Sequence, residues 1–368
     1  MHHDVVVIGG SAGSLDPLTT IVEGLPTGLK ASVLVVMHMR AGPDGMLPDI
    51  LRRATPLPVR FAAHAERLKL GHVYVAPPDR HLIVADGALR LVHGPRENGF
   101  RPAIDPLFRT AARDLGPRVV GVILSGALSD GAYGLSLIKQ HGGVAIVQDP
   151  EEARVDSMPM KALSTVDADY VLPAVQIAAA VTRVIAERLE KARANGDHRM
   201  PTPNGELEPQ LPSENTKVAE MENRFGPASS LTCPGCGGAL WEVQEGNIVR
   251  YQCHTGHQFA PDVLDGEQRD AVDSALWSAV RVLEEHAELK KRMAERAADS
   301  GMAAISAGFS EGAREAHSHA QRIRSLLFSD PGPSAEPVQK RRQRGARHRS
   351  ASGAKRRVRK IRATKRRD

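Results

Sequence analysis

The sequence contains few cysteines and no long apolar segment, and both absences narrow the class of protein. Its 368 residues include three cysteines, too few for the disulfide framework of a small secreted protein. No stretch approaches the ~20 apolar residues that a membrane-spanning helix needs. The first residues, Met1 to Asp4, lead directly into an apolar segment without the basic start of a signal peptide. We therefore expect a cytoplasmic protein with no membrane span.

Acidic residues are scarce near the C-terminus, where basic residues are concentrated, and this uneven distribution of charge explains the net charge of +6. Residues 331–368 contain 15 lysines and arginines against two acidic residues, so residues 1–330 carry a net charge of −7. This basic tail has almost no hydrophobic residues and is expected to be disordered. Its charge would suit an anionic partner, such as a phosphate backbone or an anionic lipid. Because it lacks aromatic residues, base stacking is not expected.

Short β-branched segments alternate with helical patterns over the first 190 residues. Residues 4–9, 31–37 and 118–124 are continuous apolar runs of the kind that form buried strands. Their alternation with helices predicts a doubly wound α/β fold, a mostly parallel sheet with helices on both faces. Further strands are predicted at 73–75, 82–85, 89–92 and 143–147, and helices near 15–24, 44–53, 105–115, 131–141 and 173–191.

The predicted α/β domain comprises residues 1–190. The rest of the chain is predicted to contain a linker, a small Cys/His module, a helical segment and a tail. A segment rich in Pro, Asn, Glu and Ser is typical of a linker. A compact Cys/His segment and two helices, 267–298 and 303–328, precede the basic tail. The predicted boundaries are 191–230 for the linker, 231–265 for a zinc-ribbon-like module, 266–328 for the helical segment and 329–368 for the disordered tail.

The first predicted strand leads into a glycine-rich turn that contains a serine. Gly9, Ser11 and Gly13 fit the G-x-S-x-G pattern of a nucleophile elbow, in which a sharp turn exposes the serine hydroxyl. A dinucleotide-binding turn is the alternative, because glycines after a first strand often bind phosphate. However, the G-x-G-x-x-G spacing is absent, and His38 follows the second strand where an acidic ribose ligand is expected.

A histidine and an aspartate follow two other predicted strands. His38 comes directly after residues 31–37, and Asp130 lies in a glycine-rich loop after residues 118–124. The carboxyl ends of parallel strands meet at one edge of a sheet, which would bring both residues close to Ser11. Taken singly, His38 could be a structural histidine and Asp130 a helix N-cap. The chain order Ser, His, Asp also differs from that of α/β-hydrolases.

Three segments in this order resemble the catalytic signatures of CheB-type chemotaxis protein-glutamate methylesterases. They are the serine turn at residues 7–13, the histidine strand at 35–39 and the loop at 124–132. The resemblance extends over nearly all of residues 4–185. Supporting matches lie at 74–82, 101–108, 148–149 and 158–159.

The resemblance implies an esterase with a Ser11, His38 and Asp130 triad. The implied reaction is hydrolysis of glutamate γ-methyl esters on chemotaxis receptors or related methylated signalling proteins, with release of methanol and no catalytic cofactor. Glutamine deamidation is a second implied activity. Alternatives are a non-catalytic scaffold that binds methylated receptors and a nucleotide-binding protein.

The resemblance further implies an oxyanion contact and reveals three departures from the family. The backbone N–H of Ala127 matches the family's oxyanion position, and Ala127 replaces its usual methionine, a change that a backbone donor tolerates. Leu128 stands where the family often has glycine. The first strand begins at Asp4, which leaves no room for the N-terminal receiver domain that many members carry.

The three cysteines stand in a pattern typical of a zinc ribbon. Cys233 and Cys236 form one C-x-x-C pair, and Cys253 follows after sixteen residues, with His257 close behind. Three thiolates and one imidazole can surround a structural zinc ion, since four protein ligands leave no position for substrate. His254 is the alternative fourth ligand, and reduced thiols without metal are the alternative to a metal site.

Overall fold

The computed structural model describes residues 4–38, 46–194, 225–245 and 248–329. Most of the predicted linker and nearly all of the predicted basic tail lie outside these residues. The chain divides into two compact units, Met1–Ala271 and Val272–Asp368. Across the described residues, none of the helices combines the length and apolarity that crossing a membrane requires.

A seven-stranded parallel sheet forms the centre of the first unit and confirms the predicted fold class. Its strands are short and largely buried, as β-branched apolar runs in a parallel sheet should be. The strands of the α/β part are β1 (Asp4–Gly10), β2 (Ala31–Met37), β3 (Val59–Phe61), β4 (Glu66–Arg67), β5 (Val73–Val75), β6 (His81–Ala85), β7 (Ala88–Val92), β8 (Val119–Ile123), β9 (Val144–Gln148) and β10 (Tyr170–Leu172). The order across the parallel sheet is β10-β9-β8-β1-β2-β5-β3, and β4, β7 and β6 form a small antiparallel sheet.

Helices cover both faces of the parallel sheet. Alternate residues of β1 point to opposite sides, so that Val5 and Val7 belong to one hydrophobic cluster and Val6 and Ile8 to the other. The first cluster packs against α3 (Ile104–Leu115), α4 (Ala132–Gln140) and α5 (Ser157–Thr165). The second packs against α1 (Leu15–Glu23), α2 (Leu47–Ala54) and α6 (Ala174–Ala194).

The helices and strands predicted for this domain are present, and their observed bounds differ from the predicted bounds by up to three residues. The hairpin between β6 and β7 turns at Asp86 and Gly87, whose φ angles of 53° and 68° suit a two-residue turn. Four elements were not predicted. The strands β3, β4 and β10 have at most three residues, too few to show a period, and α5 contains Pro159 in its first turn.

A three-stranded antiparallel sheet forms the zinc-ribbon-like module, called the ribbon module below. Its strands are β11 (Leu240–Glu245), β12 (Ile248–Cys253) and β13 (Gln258–Phe259). A small core around Leu240, Phe259 and Val263 includes the buried Cys233 and Cys253. Helix α7 (Pro261–Asp299) follows directly, and therefore begins six residues before the predicted start at 267. The proline at its first position explains this start, because an N1 proline needs no intrahelical N–H bond.

The second unit contains the rest of α7 and helix α8 (Ala303–Ser329). Its buried positions are mostly small residues, namely Ala294, Ala297, Gly312, Ala316 and Ala320, and Val280 is the one larger buried residue among the described ones. The turn between the helices includes Gly301 at a φ angle of 74°, which agrees with the predicted interruption between helices 267–298 and 303–328.

Candidate active site and metal centre

Three neighbouring strands at the middle of the sheet carry the predicted catalytic residues. Ser11 follows β1, His38 follows β2, and Asp130 lies in the loop after β8. β1 pairs with both other strands in parallel. After β1 the chain forms β2 and the strands beyond it on one side of β1, and it then forms β8 and the remaining strands on the other side. In open parallel sheets, ligands bind where the strand order reverses in this way.

The side chains of these residues form one hydrogen-bonded chain. His38 Nδ1 lies 3.0 Å from Ser11 Oγ, and His38 Nε2 lies 2.7 Å from Asp130 Oδ2. The side chains of His38 and Asp130 are 4% and 1% exposed, whereas Ser11 is half-buried. A proton can therefore pass from a half-buried serine to a shielded imidazole.

Asp130 accepts hydrogen bonds from four donors. Besides His38, the backbone N–H groups of Ile104 and Asp105 donate to it at 2.6 and 3.2 Å, and Asn98 Nδ2 donates at 2.9 Å. Burial opposes the charged carboxylate, but the bonds from His38, Ile104 and Asn98 outweigh it and lower the Asp130 pKa. Asp130 is therefore an ionised acceptor at neutral pH. It caps the N-terminus of α3 rather than that of α4, where Gly131 is the N-cap.

The turn at Ser11 depends on a close approach of two loops. The Ser11 N–H donates to the carbonyl of Ser125 at 3.0 Å, which ties the end of β1 to the loop after β8. A Cβ atom on Gly126 would lie 2.9 Å from Ser11 Cβ and 2.6 Å from Met158 Cε. Glycine is therefore required at position 126 to leave room for the serine.

The loop that follows holds the predicted oxyanion donor at the surface. Ala127 is exposed, and its N–H makes no hydrogen bond to another described residue. Leu128 has a φ angle of 64°, in the left-handed region that favours glycine. The glycine-like backbone expected of the family is thus present despite the leucine.

A second buried carboxyl lies beside Asp130. Asp105 accepts hydrogen bonds from the Gly134 N–H at 2.7 Å and from Asn98 Nδ2 at 3.1 Å. Burial, followed by the negative charge of Asp130, raises the pKa of Asp105 to about 7. Two carboxyls in one buried pocket thus have pKa values shifted in opposite directions, because Asp130 has the imidazole as a partner.

The loop of residues 97–100 contacts two members of the proposed triad, and sequence reasoning did not select its residues. The Phe100 ring stacks on the His38 ring, with centroids 3.6 Å apart and an interplanar angle of 10°. Asn98 is 5% exposed and bonds to Asp130. The one available signal was their position, immediately before the family-like segment 101–108.

The predicted metal ligands meet at one end of the ribbon module. The ligand atoms of Cys233, Cys236, Cys253 and His257 all lie within 4.8 Å of one another. The Nδ1 atom of His257 lies 3.7 Å from Cys233 Sγ and 3.5 Å from Cys253 Sγ, and the Sγ atoms of Cys236 and Cys253 are 3.6 Å apart. His254 is not in this cluster, and its ring lies against Gly238 instead.

These three distances match those between the ligands of a tetrahedral zinc ion. Zn–S bonds of about 2.3 Å and Zn–N bonds of about 2.0 Å place tetrahedral ligand atoms roughly 3.5–3.8 Å apart. The hydrogen bond between Cys233 and Cys253 lowers the pKa of the Cys253 thiol and raises that of the Cys233 thiol. Of these two ligands, Cys253 is therefore the one favoured as the thiolate, the metal-binding form. The donor set is therefore compatible with a structural metal.

Comparison with known proteins relates the α/β domain to one enzyme family. The sequence model of the family described as CheB methylesterase matches residues 6–181. A Leptospira interrogans protein, provisionally named a protein-glutamate methylesterase/protein-glutamine glutaminase, is 40% identical over 192 residues. These residues are 52% of this chain and the whole of that relative.

Other relatives match over part of their length. A protein-glutamate methylesterase/protein-glutamine glutaminase of Geobacter metallireducens is 40% identical over 185 residues, 50% of this chain and 53% of its own. The chain thus spans about half the length of such relatives. The crystal structure of the Thermotoga maritima CheB methylesterase catalytic domain is 34% identical, with a TM-score of 0.48, and covers 50% of this chain and 100% of its own.

Proposed function

The chain belongs to the CheB methylesterase family, and on this premise we propose that it hydrolyses glutamate γ-methyl esters on a partner protein. The proposed partner is a methylated chemoreceptor or another methylated signalling protein. The observation that supports the proposal most strongly is the hydrogen-bonded chain from Ser11 through His38 to Asp130. It supplies a nucleophile, a base and an orienting carboxylate for acyl transfer.

The first half-reaction forms an ester on the serine. Ser11 Oγ attacks the γ-carbonyl carbon while His38 Nδ1 takes the serine proton. For this, the neutral imidazole carries its proton on Nε2, and this N–H donates a hydrogen bond to Asp130 Oδ2. Collapse of the tetrahedral intermediate breaks the bond to the methoxy oxygen, which leaves as methanol with the proton from His38. The charge of Asp130 stabilises the imidazolium between these steps.

The second half-reaction releases the glutamate. A water molecule attacks the carbonyl carbon of the acyl-enzyme, and His38 takes one of its protons. The Ser11 oxygen then leaves and recovers that proton from His38, so that one ester and one water become one glutamate and one methanol. We propose the exposed N–H of Ala127 as a donor to the carbonyl oxygen in both tetrahedral intermediates.

Deamidation of glutamine is a second proposed activity of the same site. Relatives at about 40% identity carry protein-glutamine glutaminase in their names. A glutamine side chain presents the same γ-carbonyl, with ammonia in place of methanol as the leaving group. The same residues would therefore serve both reactions, and His38 would protonate the departing nitrogen.

We propose a structural zinc ion at Cys233, Cys236, Cys253 and His257. The close approach of the four ligand atoms, one imidazole nitrogen and three sulfur atoms, supports it. Zinc would hold the ribbon module together, since its core is too small to be stable without metal. Three reduced thiols also suit a cytoplasmic location. An anionic partner for the basic tail is proposed from its charge alone.

Methanol release tests the proposed activity. The substrate is a methylated receptor fragment, and the variants are Ser11→Ala and Ser164→Ala, the latter an exposed serine on α5. We expect wild type and Ser164→Ala to release methanol at equal rates and Ser11→Ala to lose at least about 10³-fold in kcat. Release that persists in Ser11→Ala would contradict the nucleophile, and binding of fragments without release would favour the scaffold.

A further inference from the structure

The ribbon module packs against the loop that contacts the proposed triad. The Asn98 N–H donates to the carbonyl of Gln258 at 2.8 Å, and the Ala260 N–H donates to Asn98 Oδ1 at 3.0 Å. Glu97 forms a parallel β-bridge with Gln258. These bonds satisfy the backbone N–H and the side-chain oxygen of Asn98 on the side away from Asp130.

The segment of residues 258–262, which contacts Asn98, also contacts the loop that carries Asp130. Ser129 Oγ donates to Asp262 Oδ1 at 2.8 Å. The three contacting residues, Gln258, Ala260 and Asp262, follow His257, the last of the four metal-ligand candidates. A shift of His257 would therefore move all three contacts together.

The β-hairpin of the module makes a second set of contacts, with helix α4. The Arg250 guanidinium lies over the Tyr133 ring, 3.9 Å from its centroid, and the Tyr133 hydroxyl bonds to Glu245. Tyr133 stands three residues after Asp130, in the first turn of α4. The hairpin thus holds the helix that begins where the Asp130 loop ends.

The loop of residues 97–100 connects these contacts to the reacting groups. Two mutual hydrogen bonds between Glu97 and Phe100 close the loop on itself. On one side Asn98 donates to Asp130, and Phe100 stacks on His38. On the other side Gly99 lies against Glu267 of α7. A Cβ atom added to this glycine would be only 2.4 Å from Glu267 Oε1. The loop is thus enclosed between the triad and the segment that follows the metal ligands.

We propose that the ribbon module is a positioning element of the active site, which holds Asn98 and Phe100 against Asp130 and His38, so that metal binding at the module sets the turnover rate. The inference rests on the proposed function. Asn98 and Phe100 are positioning residues and not catalytic ones, since they act through the carboxylate and the imidazole. A displacement of about 1 Å at such groups costs up to about 100-fold in rate.

Metal loss is the first test. Cys236→Ser changes the one exposed ligand, and the zinc content of the full chain is measured with kcat and KM for methyl ester hydrolysis. The rate at which a serine-directed phosphonate labels Ser11 is measured as well. We expect zinc to fall, kcat and labelling to fall at least about tenfold, and KM to stay within about twofold. Unchanged kcat in zinc-free protein would overturn the proposal.

A matched pair of variants keeps the test valid if metal loss unfolds the chain. Asp262→Ala removes the contact to Ser129, whereas Asp265→Ala removes an exposed pair with Arg269 on the same helix. With zinc retained in both, we expect a lower kcat and slower labelling for Asp262→Ala and wild-type values for Asp265→Ala. Equal values in both, or a change in KM without a change in kcat, would contradict positioning.

The two readouts separate this inference from the proposed function. Wild-type protein that labels on Ser11 but releases no methanol would refute the proposed substrate. The labelling ratios of the variants would still decide the positioning role. Wild-type protein that neither labels nor releases methanol would refute both.

Discussion

At the scale of single residues, Asp130 is the acceptor on which the active-site geometry depends. Both of its oxygens face donors, with Ile104 and His38 on Oδ2 and Asp105 and Asn98 on Oδ1. No orientation of an amide at this position could accept all four bonds. The residue must therefore be a carboxylate and not only a polar side chain of the same size.

Asp130→Asn is predicted to abolish most turnover without unfolding the protein. An amide NH₂ would face donors whichever way it turned, and the imidazole would lose the partner that keeps its proton on Nε2. We expect kcat for methyl ester hydrolysis to fall about 10³–10⁴-fold. Asp167→Asn, an exposed aspartate between α5 and β10, is the matched control and should retain wild-type kcat. A kcat within tenfold of wild type would contradict the assigned role.

Asp105 is predicted to make stability depend on pH. Burial, followed by the charge of Asp130, raises its pKa from 3.8 to about 7. The folded state therefore holds the proton more firmly than the unfolded chain. Its contribution to stability is complete below about pH 4 and is lost as the pH rises through about 7.

Asp105→Asn removes this titration. The free energy of unfolding of the wild type, relative to that of Asp105→Asn, should therefore decrease between about pH 5 and about pH 8. Denaturant unfolding of both proteins at the two pH values measures the difference. A difference that stays constant with pH would show that Asp105 does not titrate in this range.

At the scale of elements, a buried ion pair fixes the loop of residues 97–100 to helix α3. Glu97 and Arg109 are 4% and 6% exposed, and two bonds of 2.9 and 3.0 Å join the guanidinium to the carboxylate. Burial opposes the charge of Glu97, but Arg109 outweighs it and lowers the Glu97 pKa. The loop therefore has a charged attachment at one end and the triad contacts along its length.

Glu97→Ala is predicted to be strongly destabilising because it leaves the Arg109 charge buried without a partner. We expect a loss of about 3–5 kcal/mol in the free energy of unfolding. Glu187→Ala breaks an exposed pair with Arg183 on α6 and should cost less than about 1 kcal/mol. Urea denaturation of both variants gives the comparison, and equal losses would refute the role of burial.

The elements themselves differ in how far the sequence predicts them. The apolar runs of β1, β2 and β8 and the helices between them follow from local pattern, because a buried strand needs consecutive apolar residues. The role of Asn98 does not, because its partners Asp130, Gln258 and Ala260 are 32 to 162 residues away in the chain. Nothing in the local sequence distinguishes it from other asparagines.

At the scale of the whole molecule, the sequence predicts that the three proposed triad residues meet, but it does not predict which residues surround them. The parallel sheet brings the ends of β1, β2 and β8 together, so Ser11, His38 and Asp130 were expected to meet. The Cys/His spacing likewise predicted the ligand cluster. The contact between these two sites depends on packing across the fold, which neither motif encodes. The proposed triad and metal site remain predictions to be tested in solution.

The most direct test of the central claim is the site at which a serine-directed phosphonate modifies the zinc-loaded full chain. Mass spectrometry of the digested protein locates the adduct, and wild type is compared with His38→Ala and Ser164→Ala. We expect one adduct on Ser11, formed at the wild-type rate in Ser164→Ala and at least about 100-fold more slowly in His38→Ala. An adduct on another serine, or labelling that does not depend on His38, would contradict it.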